Sequence, residues 1–564
     1  MKALFAFTIG PVKAFIENSR KMNDLYGGSL ILSELTNKAI YYANEEKEFE
    51  VIFPLAEKEQ NHSNIPNRFI AKVDSFEETN LQLYKNRAEQ LKHKIVTEFK
   101  GMLVTAFRNV DINDEYKLDI ALKQAADFLE IHWLYQPYSN DAEYHIVYNN
   151  LFKNLQAVKN IRPFAQSNEF WGRKCTLFPE YNAIIIKKNN KNKYPNHTNT
   201  FECRKYIDIS ANEKLAYLVK PKEALSAIAL FKRAYVRESR IKSLRNMLLE
   251  FYYEEIESYD GYKSSKNVTH IANAIYDLFN NNEPETEEYP QIAIATAKAI
   301  CKDITKNKVI LSSYYACIKF DGDNMGEVYR TKDEKEQRAL SIKICQFAAA
   351  AKEIVEKEFK GLCVYAGGED VLAFLPIPSL FYALEKLHKE FYEKTQLTFS
   401  AGIAVAHLMQ PLKEVLITAG EMEYTAKHVD GKNAYALSVI KRSGELRTIC
   451  YKLNHVDDRC YSALNRIDCI MKGLARKDYS KSLIYDIIVT LTQFTDTPEH
   501  KFDDGIIQTL IQRIFSQKDI KKITGSNLLE EQFKELWKES TCIQDYINCL
   551  DIVGFLSREV LAHV

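Results

Sequence analysis

The sequence predicts an α+β fold in which two ferredoxin-like domains alternate with two helical domains. Strand-like and helix-like segments follow the order βαββαβ twice, once in residues 1–165 and once in residues 312–440. Residues 166–311 and 441–564 instead show mainly helical spacing of apolar residues. A chain of 564 residues is long enough for about three or four such domains.

The composition limits how the chain can bind nucleic acid and in which compartment it is expected. The 76 Lys and Arg residues balance the 76 Asp and Glu residues, so any contact with nucleic acid must come from local patches or partner subunits. Eleven scattered cysteines indicate reduced thiols. Gly10-Pro11 ends the apolar run Ala3–Ile9 too early for a signal peptide, and no apolar run approaches the ~20 residues of a membrane span. We therefore expect a cytoplasmic protein without membrane contact.

The first ferredoxin-like domain opens on the apolar run that follows Met1. Its predicted strands are Ala3–Thr8, Phe49–Phe53, Arg68–Val73 and Leu129–Tyr135. Its predicted helices are Val12–Met22, Ser29–Tyr42 and Phe76–Phe128, the last with a break near Asn109. No hairpin in this domain carries paired carboxylates, so it is expected to bind or shape a substrate without holding metal ions.

Between the two ferredoxin-like domains, helical spacing is clearest in Ala224–Leu249 and Val268–Phe279. The second ferredoxin-like domain follows. Its strands are predicted at Tyr314–Phe320, Leu362–Tyr365, Val371–Leu375 and Phe399–Val405, and its helices over Leu340–Val355 and Leu380–Phe391. The topology places the ends of its central strands next to one another.

Acidic residues mark those strand ends. Gly367-Gly368-Glu369-Asp370 forms a hairpin tip, and Asp321 ends the strand that begins near Tyr314. An acidic turn in solvent is the ordinary explanation for such a tip, but the surrounding βαββαβ order favours a shared site. Mg²⁺ commonly joins one or two carboxylates to substrate phosphates. We therefore predict a nucleotidyl-transfer site for a nucleoside triphosphate.

The last domain is predicted to be helical throughout, and nothing in it looks catalytic. Its helical segments are Leu453–Gly473, Leu483–Phe494, Gly505–Phe515, Leu528–Leu536 and Ile543–Leu561.

Several motifs carry a family resemblance. Asp321-Gly322-Asp323, the Gly367–Asp370 tip and the segments Ala419–Lys427 and Gly431–Ala434 resemble the palm of diguanylate cyclases and, more closely, the cyclase-like palm in the large subunit of type III CRISPR effector complexes. The strings Ile9–Ile16, Asp24–Ser33 and Ile65–Phe69 look like the N-terminal palm of the Cmr-type, or type III-B, large subunit. The resemblance covers roughly residues 1–440, in the order and at about the spacing of the family.

This resemblance implies an RNA-guided antiviral enzyme. Together with other Cmr subunits, CRISPR guide RNA and target RNA, it would convert ATP into a signalling nucleotide once target RNA is bound. Asp321, Glu369 and Asp370 would be catalytic and would hold two Mg²⁺ or Mn²⁺ ions, while Gly367, Gly368, Asp323 and Lys427 would bind the nucleotide. Related palms often carry Asp in place of Glu369.

The acceptor and the product stay open. Backbone N–H groups of Gly27-Gly28-Ser29 would face a phosphate or another acceptor group between the palms, whereas an ordinary helix N-terminus capped by Ser29 explains the same string. Cyclic oligoadenylate is the favoured product, and joining of AMP to S-adenosylmethionine is the alternative. In the competing class of function, the chain is a non-catalytic subunit that organises guide RNA and partners; clustered carboxylates that repel one another favour the enzyme.

Two departures from the family pattern lead to expected absences. The zinc ribbon of the family needs two Cys-x-x-Cys pairs. Three residues after Cys175, where the second cysteine of the first pair would lie, the chain has Phe178, and Ser226 and Ala229 stand where the second pair would lie. Even with Cys203 nearby, four zinc ligands are lacking; we expect apolar packing and no zinc. No His-Asp dipeptide occurs and the palm begins within three residues of Met1, so neither the family's nuclease domain nor DNA cleavage is expected.

Overall fold

The structure analysed is a computed structural model of the chain. It describes residues 1–45, 49–55, 65–161, 172–186, 207–208, 215, 218–220, 223–236, 242–253, 268–280, 282–284, 289–306, 311–453, 463–494, 502–517 and 526–560.

The first sheet domain (residues 1–161) is an antiparallel sheet covered by helices. Its strands are β1 (Lys2–Gly10), β2 (Phe49–Phe53), β3 (Arg68–Val73) and β4 (Glu130–Tyr138), in the spatial order β2-β3-β1-β4. This order confirms the ferredoxin-like prediction. Its helices are α1 (Lys13–Glu17), α2 (Met22–Glu45), α3 (Leu81–Asn109), α4 (Glu115–Ala125) and α5 (Tyr144–Asn160). The break predicted near Asn109 is confirmed.

Helix α2 differs from the prediction. The sequence predicted separate helices up to Met22 and from Ser29, but the chain leaves the helix between Asn18 and Lys21 and then stays helical through Gly27 and Gly28. A side chain at Gly27 would place its Cβ 1.9 Å from the carbonyl oxygen of Lys232. The two glycines therefore allow close packing between helices, and they do not mark the start of a helix.

The middle region joins small strands to helices. Three short strands, β5 (Ile185–Ile186), β6 (Ile207–Asp208) and β7 (Ala224–Leu225), form a sheet. The helices are α6 (Ala227–Tyr235), α7 (Leu244–Tyr253), α8 (Val268–Phe279) and α9 (Gln291–Lys306). The single helix predicted over Ala224–Leu249 is therefore wrong, because its first residues pair with β5.

Buried charges hold α6 against α2. Arg233 donates to both carboxylate oxygens of Asp24, at 2.7 and 2.9 Å, and to those of Glu223, at 2.8 and 3.2 Å, and all three side chains are buried. Next to it the Lys232 ammonium lies over the ring of Phe15 and donates to backbone carbonyl groups that precede α2. Buried charges persist only when they are paired in this way.

Cys175 lies in the same core. Its sulfur accepts hydrogen bonds from the backbone N–H groups of Leu177, Phe178 and Ser226 at 3.4, 3.4 and 3.2 Å. The Lys232 ammonium also lies 5.4 Å from the ring of Phe178. Apolar side chains and the buried Lys232 therefore surround Cys175, and the expected absence of zinc stays a prediction. Cys203 lies outside the described residues.

The second sheet domain (residues 312–453) has six strands. They are β8 (Tyr314–Gly322), β9 (Leu362–Gly367), β10 (Asp370–Pro376), β11 (Phe399–His407), β12 (Ala434–Ile440) and β13 (Leu446–Lys452), in the order β13-β12-β11-β8-β10-β9. The four strands β11-β8-β10-β9 repeat the ferredoxin-like order. The sheet extends past residue 440, where the sequence placed the domain boundary, because β13 pairs with β12.

Helices cover both faces of this sheet. They are α10 (Met325–Thr331), α11 (Glu334–Glu353), which continues as a π-helical turn over Ile354–Glu358, α12 (Leu380–Thr395) and α13 (Leu412–Lys427). One face shares a core with α11, α12 and the C-terminal helices, and the other packs against α13 and the helices of the middle region.

The C-terminal region is helical, as predicted. Its helices are α14 (Ala463–Ala475), α15 (Lys481–Leu491), α16 (Asp504–Gln517), α17 (Ser526–Glu539) and α18 (Ile543–Val560). They pack around the buried Trp537 and join the core of the second sheet domain.

Contacts between the two sheet domains bring their strand ends together. The Tyr26 hydroxyl of α2 donates to the carbonyl oxygen of Cys363 at 2.5 Å, and the Tyr144 hydroxyl of α5 donates to Gln337 at 2.7 Å. Arg338 donates to the carbonyl oxygen of Val51 at 2.8 Å. These bonds fix the first sheet domain against β9 and α11, on either side of the Gly367–Asp370 turn.

Candidate active site

Two of the predicted carboxylates lie side by side at one end of the second sheet. β10 pairs with β8 so that Val371 lies opposite Phe320, and Asp370 and Asp321 continue this ladder by one position. Burial and then the charge of the neighbouring Asp321 raise the pKa of Asp370 to about 8. Such a shift indicates carboxylates that lack enough positive charge around them.

The glycines of the hairpin tip make the turn possible. Gly368 has a φ of +87°, which disfavours any residue with a side chain. A Cβ at Gly367 would lie 1.8 Å from the hydroxyl oxygen of Tyr365, and one at Gly368 would contact Ile344 and the first sheet domain at Pro66. The tip is therefore tight, and it touches both domains. The nucleotide contacts predicted for Gly367 and Gly368 stay predictions.

Glu369 points into the interior at the junction of the domains. Its Oε2 atom is buried and has no hydrogen-bond partner among the described residues. Burial raises the pKa of Glu369, Arg68 of the first sheet domain lowers it, and Asp321 raises it. A buried carboxylate oxygen without a partner costs free energy, so this atom indicates a ligand that satisfies it.

Lys427, the predicted phosphate lysine, lies at the same strand end. Its ammonium forms an ion pair with Asp321 and a second one with Glu423 at 3.1 Å. Burial raises the pKa of Asp321, and Lys427 opposes that rise. Lys427 thus lies within reach of a group bound at Asp321.

Asp323 has a different role from the one predicted. Its carboxylate accepts hydrogen bonds from the Thr398 hydroxyl at 2.8 Å, the Ser400 hydroxyl at 2.7 Å and the backbone N–H of Asn433 at 3.0 Å. These three donors occupy the carboxylate, and its residue is buried. The prediction that Asp323 binds nucleotide needs correction, because the side chain ties the end of β8 to the neighbouring strands.

A cleft of about 660 Å³ opens between the sheet domains beside Glu369. One wall is helix α5 with Arg68, and the other is helix α10. Four side chains on these walls are basic: Arg68, Lys153, Lys159 and Arg330. Tyr148, Phe152 and Tyr329 supply aromatic surface, and Asn149, Asn150 and Gln156 supply amides. A volume of this size and a mixed basic and aromatic lining suit a nucleotide.

Carboxylates outnumber basic side chains around the strand ends of the second sheet. Five carboxylates, those of Asp321, Glu369, Asp370, Glu423 and Glu17, share the positive charges of Lys319, Lys427 and Arg68. Within the described part of the chain, no three His, Cys, Asp or Glu side chains are arranged to hold a metal ion by themselves. Mg²⁺ usually completes its octahedron with waters and substrate phosphates, so the donor set fits a cation that arrives with a triphosphate.

Two domain families match this chain in the same order as its sheet domains. Residues 4–103 match the N-terminal domain of the CRISPR-associated protein Cmr2, and residues 314–436 match the second palm domain of Cas10/Cmr2. Residues 4–103 and 314–436 thus resemble domains of Cas10/Cmr2 proteins, and together they make up less than half of the chain.

One curated relative and two solved structures are similar to a larger part of the chain. The Cmr subunit Cmr2 of Pyrococcus furiosus is 23% identical over 547 aligned residues, which include 78% of this chain and 62% of that protein. The chain therefore spans less than two thirds of the length of that relative. The fold is similar to a chain in the apo state of a type III-B Cmr-β complex, with a TM-score of 0.63 at 13% identity over 93% of this chain and 78% of the other. A chain of Cmr-β bound to cognate target RNA gives 0.60 at 12% identity over 92% and 78%.

The acceptor site predicted at Gly27-Gly28-Ser29 is not formed in the structure. The three residues lie inside α2, so their N–H groups are committed to the helix and Ser29 does not cap it. Cβ atoms at Gly27 and Gly28 would meet the backbone of Lys232 and of Phe15. Ser29 is buried, and its Oγ atom has no hydrogen-bond partner among the described residues.

Two groups that the first sheet domain brings to the site were not predicted as site residues. Arg68 was predicted as the start of a strand and as part of the Ile65–Phe69 resemblance, and α5 was not predicted. The sequence signal that could have found α5 is the run of aromatic and basic residues between Tyr148 and Lys159. Glu423 was also missed, because nothing in the sequence separates it from the exposed Glu421 nearby. None of the described helices is long and apolar enough to cross a bilayer.

Proposed function

We propose that this chain is the large subunit of a type III-B CRISPR effector complex and that its second sheet domain transfers nucleotidyl groups from ATP when target RNA is bound. The observation that carries the proposal is the buried, unpartnered Oε2 of Glu369 near the carboxylates of Asp321 and Asp370. A site that gathers more carboxylates than its lysines and arginine can neutralise suits cations.

Asp321, Glu369 and Asp370 are the groups that would hold Mg²⁺ or Mn²⁺. When bound, such ions supply positive charge to the triphosphate and to the leaving pyrophosphate. Lys427 would bind phosphate oxygens, because its ammonium lies at Asp321. Asp323 keeps the end of β8 in place through its three hydrogen bonds.

The cleft between the sheet domains is the proposed place of the acceptor. Arg68 and Lys159 lie close together there, and Lys159 donates to the Thr8 hydroxyl at 3.2 Å. Four basic side chains favour an acceptor that carries phosphates, as a second ATP does, over the cationic sulfonium of S-adenosylmethionine. The favoured product is therefore an oligoadenylate, in the cyclic form that the family resemblance implies.

The proposed partners are other Cmr subunits, CRISPR guide RNA and target RNA, in the cytoplasm. The support comes from the solved Cmr-β complexes, one of which is bound to cognate target RNA. The chain has no excess of positive charge, so RNA would be held mainly by partner subunits or local patches.

Consumption of labelled ATP by the reconstituted complex tests the proposal, with and without target RNA and with and without S-adenosylmethionine. We expect consumption that needs target RNA and Mg²⁺ or Mn²⁺, with an oligoadenylate as the main product by mass spectrometry. A product that forms only with S-adenosylmethionine and carries both moieties would replace the acceptor assignment. No consumption by a complex that binds target RNA would contradict the enzyme and favour the organising subunit.

A further inference from the structure

Helix α13 crosses the second sheet unusually closely at one point. Gly402 of β11 lies opposite Lys319 of β8. A Cβ on Gly402 would come within 2.1 Å of the backbone nitrogen of Glu423 and within 2.1 Å of the carbonyl oxygen of Ala419. Because Gly402 has no side chain, α13 can lie this close to the sheet, and this approach sets how far Glu423 lies from Lys319.

Glu423 joins two lysines at this crossing. Its Oε1 lies 3.1 Å from Nζ of Lys427, one helical turn away, and its Oε2 lies 3.4 Å from Nζ of Lys319. The side chain of Glu423 is only 13% exposed, so water screens these pairs less than it screens pairs on the surface.

The chain of ion pairs reaches both the site and the other domain. At one end Lys427 is also paired with Asp321. At the other end Lys319 lies 3.7 Å from Oε1 of Glu17, on helix α1 of the first sheet domain. Glu423 is the middle member of the series, between one lysine that touches the site and one that touches the neighbouring domain.

Lys427 meets two competing demands. Its ammonium neutralises Asp321, yet a cation bound at Asp321 and a phosphate beside it need Asp321 free and the ammonium turned toward phosphate. A lysine released from Asp321 without another anchor has a long, flexible side chain and loses much of its orientation. Glu423 supplies that anchor from a position fixed by Gly402.

We infer that Glu423 is a positioning residue that holds Lys427 for phosphate when Asp321 takes a cation, and that Lys319 and Glu17 make this hold depend on the placement of the first sheet domain. The inference rests on the proposed function and adds a means of regulation to the same site. A shift of α1 away from β8 would remove Glu17 from Lys319 and leave it to Glu423 and Asp370, and Glu423 would then share its charge less with Lys427.

The test is equilibrium binding of a non-hydrolysable ATP analogue with Mg²⁺ to the full-length chain. The variant is Glu423→Gln, and the matched control is Glu421→Gln, an exposed glutamate on the same helix. We expect Glu423→Gln to weaken binding about fivefold to twentyfold, as the loss of a partly buried charged hydrogen bond does, and Glu421→Gln to leave it unchanged.

A double-mutant cycle shows whether Glu423 acts through Lys427. In a Lys427→Met background, Glu423→Gln should cause no further weakening, since the side chain it positions is gone. If the fold-changes in binding caused by the two substitutions multiply instead, Glu423 acts independently of Lys427 and the inference is overturned. Thermal unfolding of each variant, expected to match the parent, separates positioning from loss of folding.

Glu17→Gln tests the link to the first sheet domain. It should weaken binding about twofold, the effect of a longer and more exposed ion pair, and should add nothing to Glu423→Gln. Failures are distinguishable. If the unaltered chain binds no analogue with Mg²⁺, the proposed function and this inference both fall. If it binds and Glu423→Gln behaves like Glu421→Gln, only this inference falls.

Discussion

The two sheet domains share one topology but differ in charge near the corresponding strand ends. In the first, Thr8 of β1 lies opposite Arg68 of β3, and Ile9 and Asn67 beyond them are joined by backbone and amide hydrogen bonds of 2.9 and 2.8 Å. In the second, the position beyond the last ladder pair holds Asp321 and Asp370, which repel each other.

This difference shows how one fold can divide the work of a site. A strand end closed by hydrogen bonds has no need of a ligand, whereas one that collects carboxylates is completed by cations. Because the domains face each other, Arg68 of the first lies near Glu369 of the second and lowers its pKa. In the proposed function, one domain would present cations for phosphate, and the other would present carboxylates for metal ions.

The largest effect is expected when the carboxylates of the second sheet domain are removed. Replacing Glu369 with Gln and Asp370 with Asn together should lower RNA-dependent ATP consumption by at least about a thousandfold, because the charges that would hold cations are gone. Since burial disfavours the charged form of Asp370, the unfolding temperature should stay the same or rise. Glu393→Gln, on the exposed face of α12, is the control. Loss of complex assembly in the double variant would mean that these residues are structural.

The next prediction separates two aspartates that look alike in the sequence. Asp321→Asn should lower activity about a hundredfold with unfolding unchanged. Asp323→Asn leaves buried hydroxyl and N–H donors poorly paired, so it should lower the free energy of unfolding by about 2 kcal/mol. Chemical denaturation and ATP consumption measured on both variants check this. Equal losses of activity without a loss of stability would restore Asp323 to the nucleotide.

The third prediction tests the basic side chain that the first sheet domain brings to the site. Arg68→Gln should lower kcat/KM for ATP about thirtyfold, since a charged hydrogen bond to phosphate would be lost. Arg108→Gln, exposed at the end of α3 in the same domain, should have no effect. An Arg68→Gln complex with normal kinetics would place the acceptor outside the cleft.

The smallest effect concerns stability alone. Gly27→Ala forces a Cβ against the backbone of Lys232 and should lower the free energy of unfolding by about 1–3 kcal/mol. Gly101→Ala has open space around its Cβ within α3, so it should raise that free energy by about 0.5–1 kcal/mol. Urea unfolding of both variants checks the opposite signs. A neutral Gly27→Ala would return these glycines to a functional role.

The sequence predicted the parts of this account that depend on local pattern. Apolar runs located β1 to β4 and β8 to β11, and the paired glycines located the turn that contains Glu369. It could not separate Asp321 from Asp323, because their roles depend on donors from β11 and from Asn433 more than seventy residues away in the chain. Gly27 and Gly28 were misread for the same reason, since the helix that packs on them lies some two hundred residues later. Arg68, α5 and Glu423 join the site only through contacts between domains or between α13 and the sheet.

The most direct test of the divided site is a structure of the complex with target RNA, Mn²⁺ and a non-hydrolysable ATP analogue. Anomalous scattering from a crystal locates the manganese. We expect Mn²⁺ at Asp321, Glu369 and Asp370, phosphate oxygens at Lys427, and a second nucleotide in the cleft against Arg68. Manganese at the strand ends of the first sheet domain, or nucleotides bound away from both Arg68 and Lys427, would contradict this expectation.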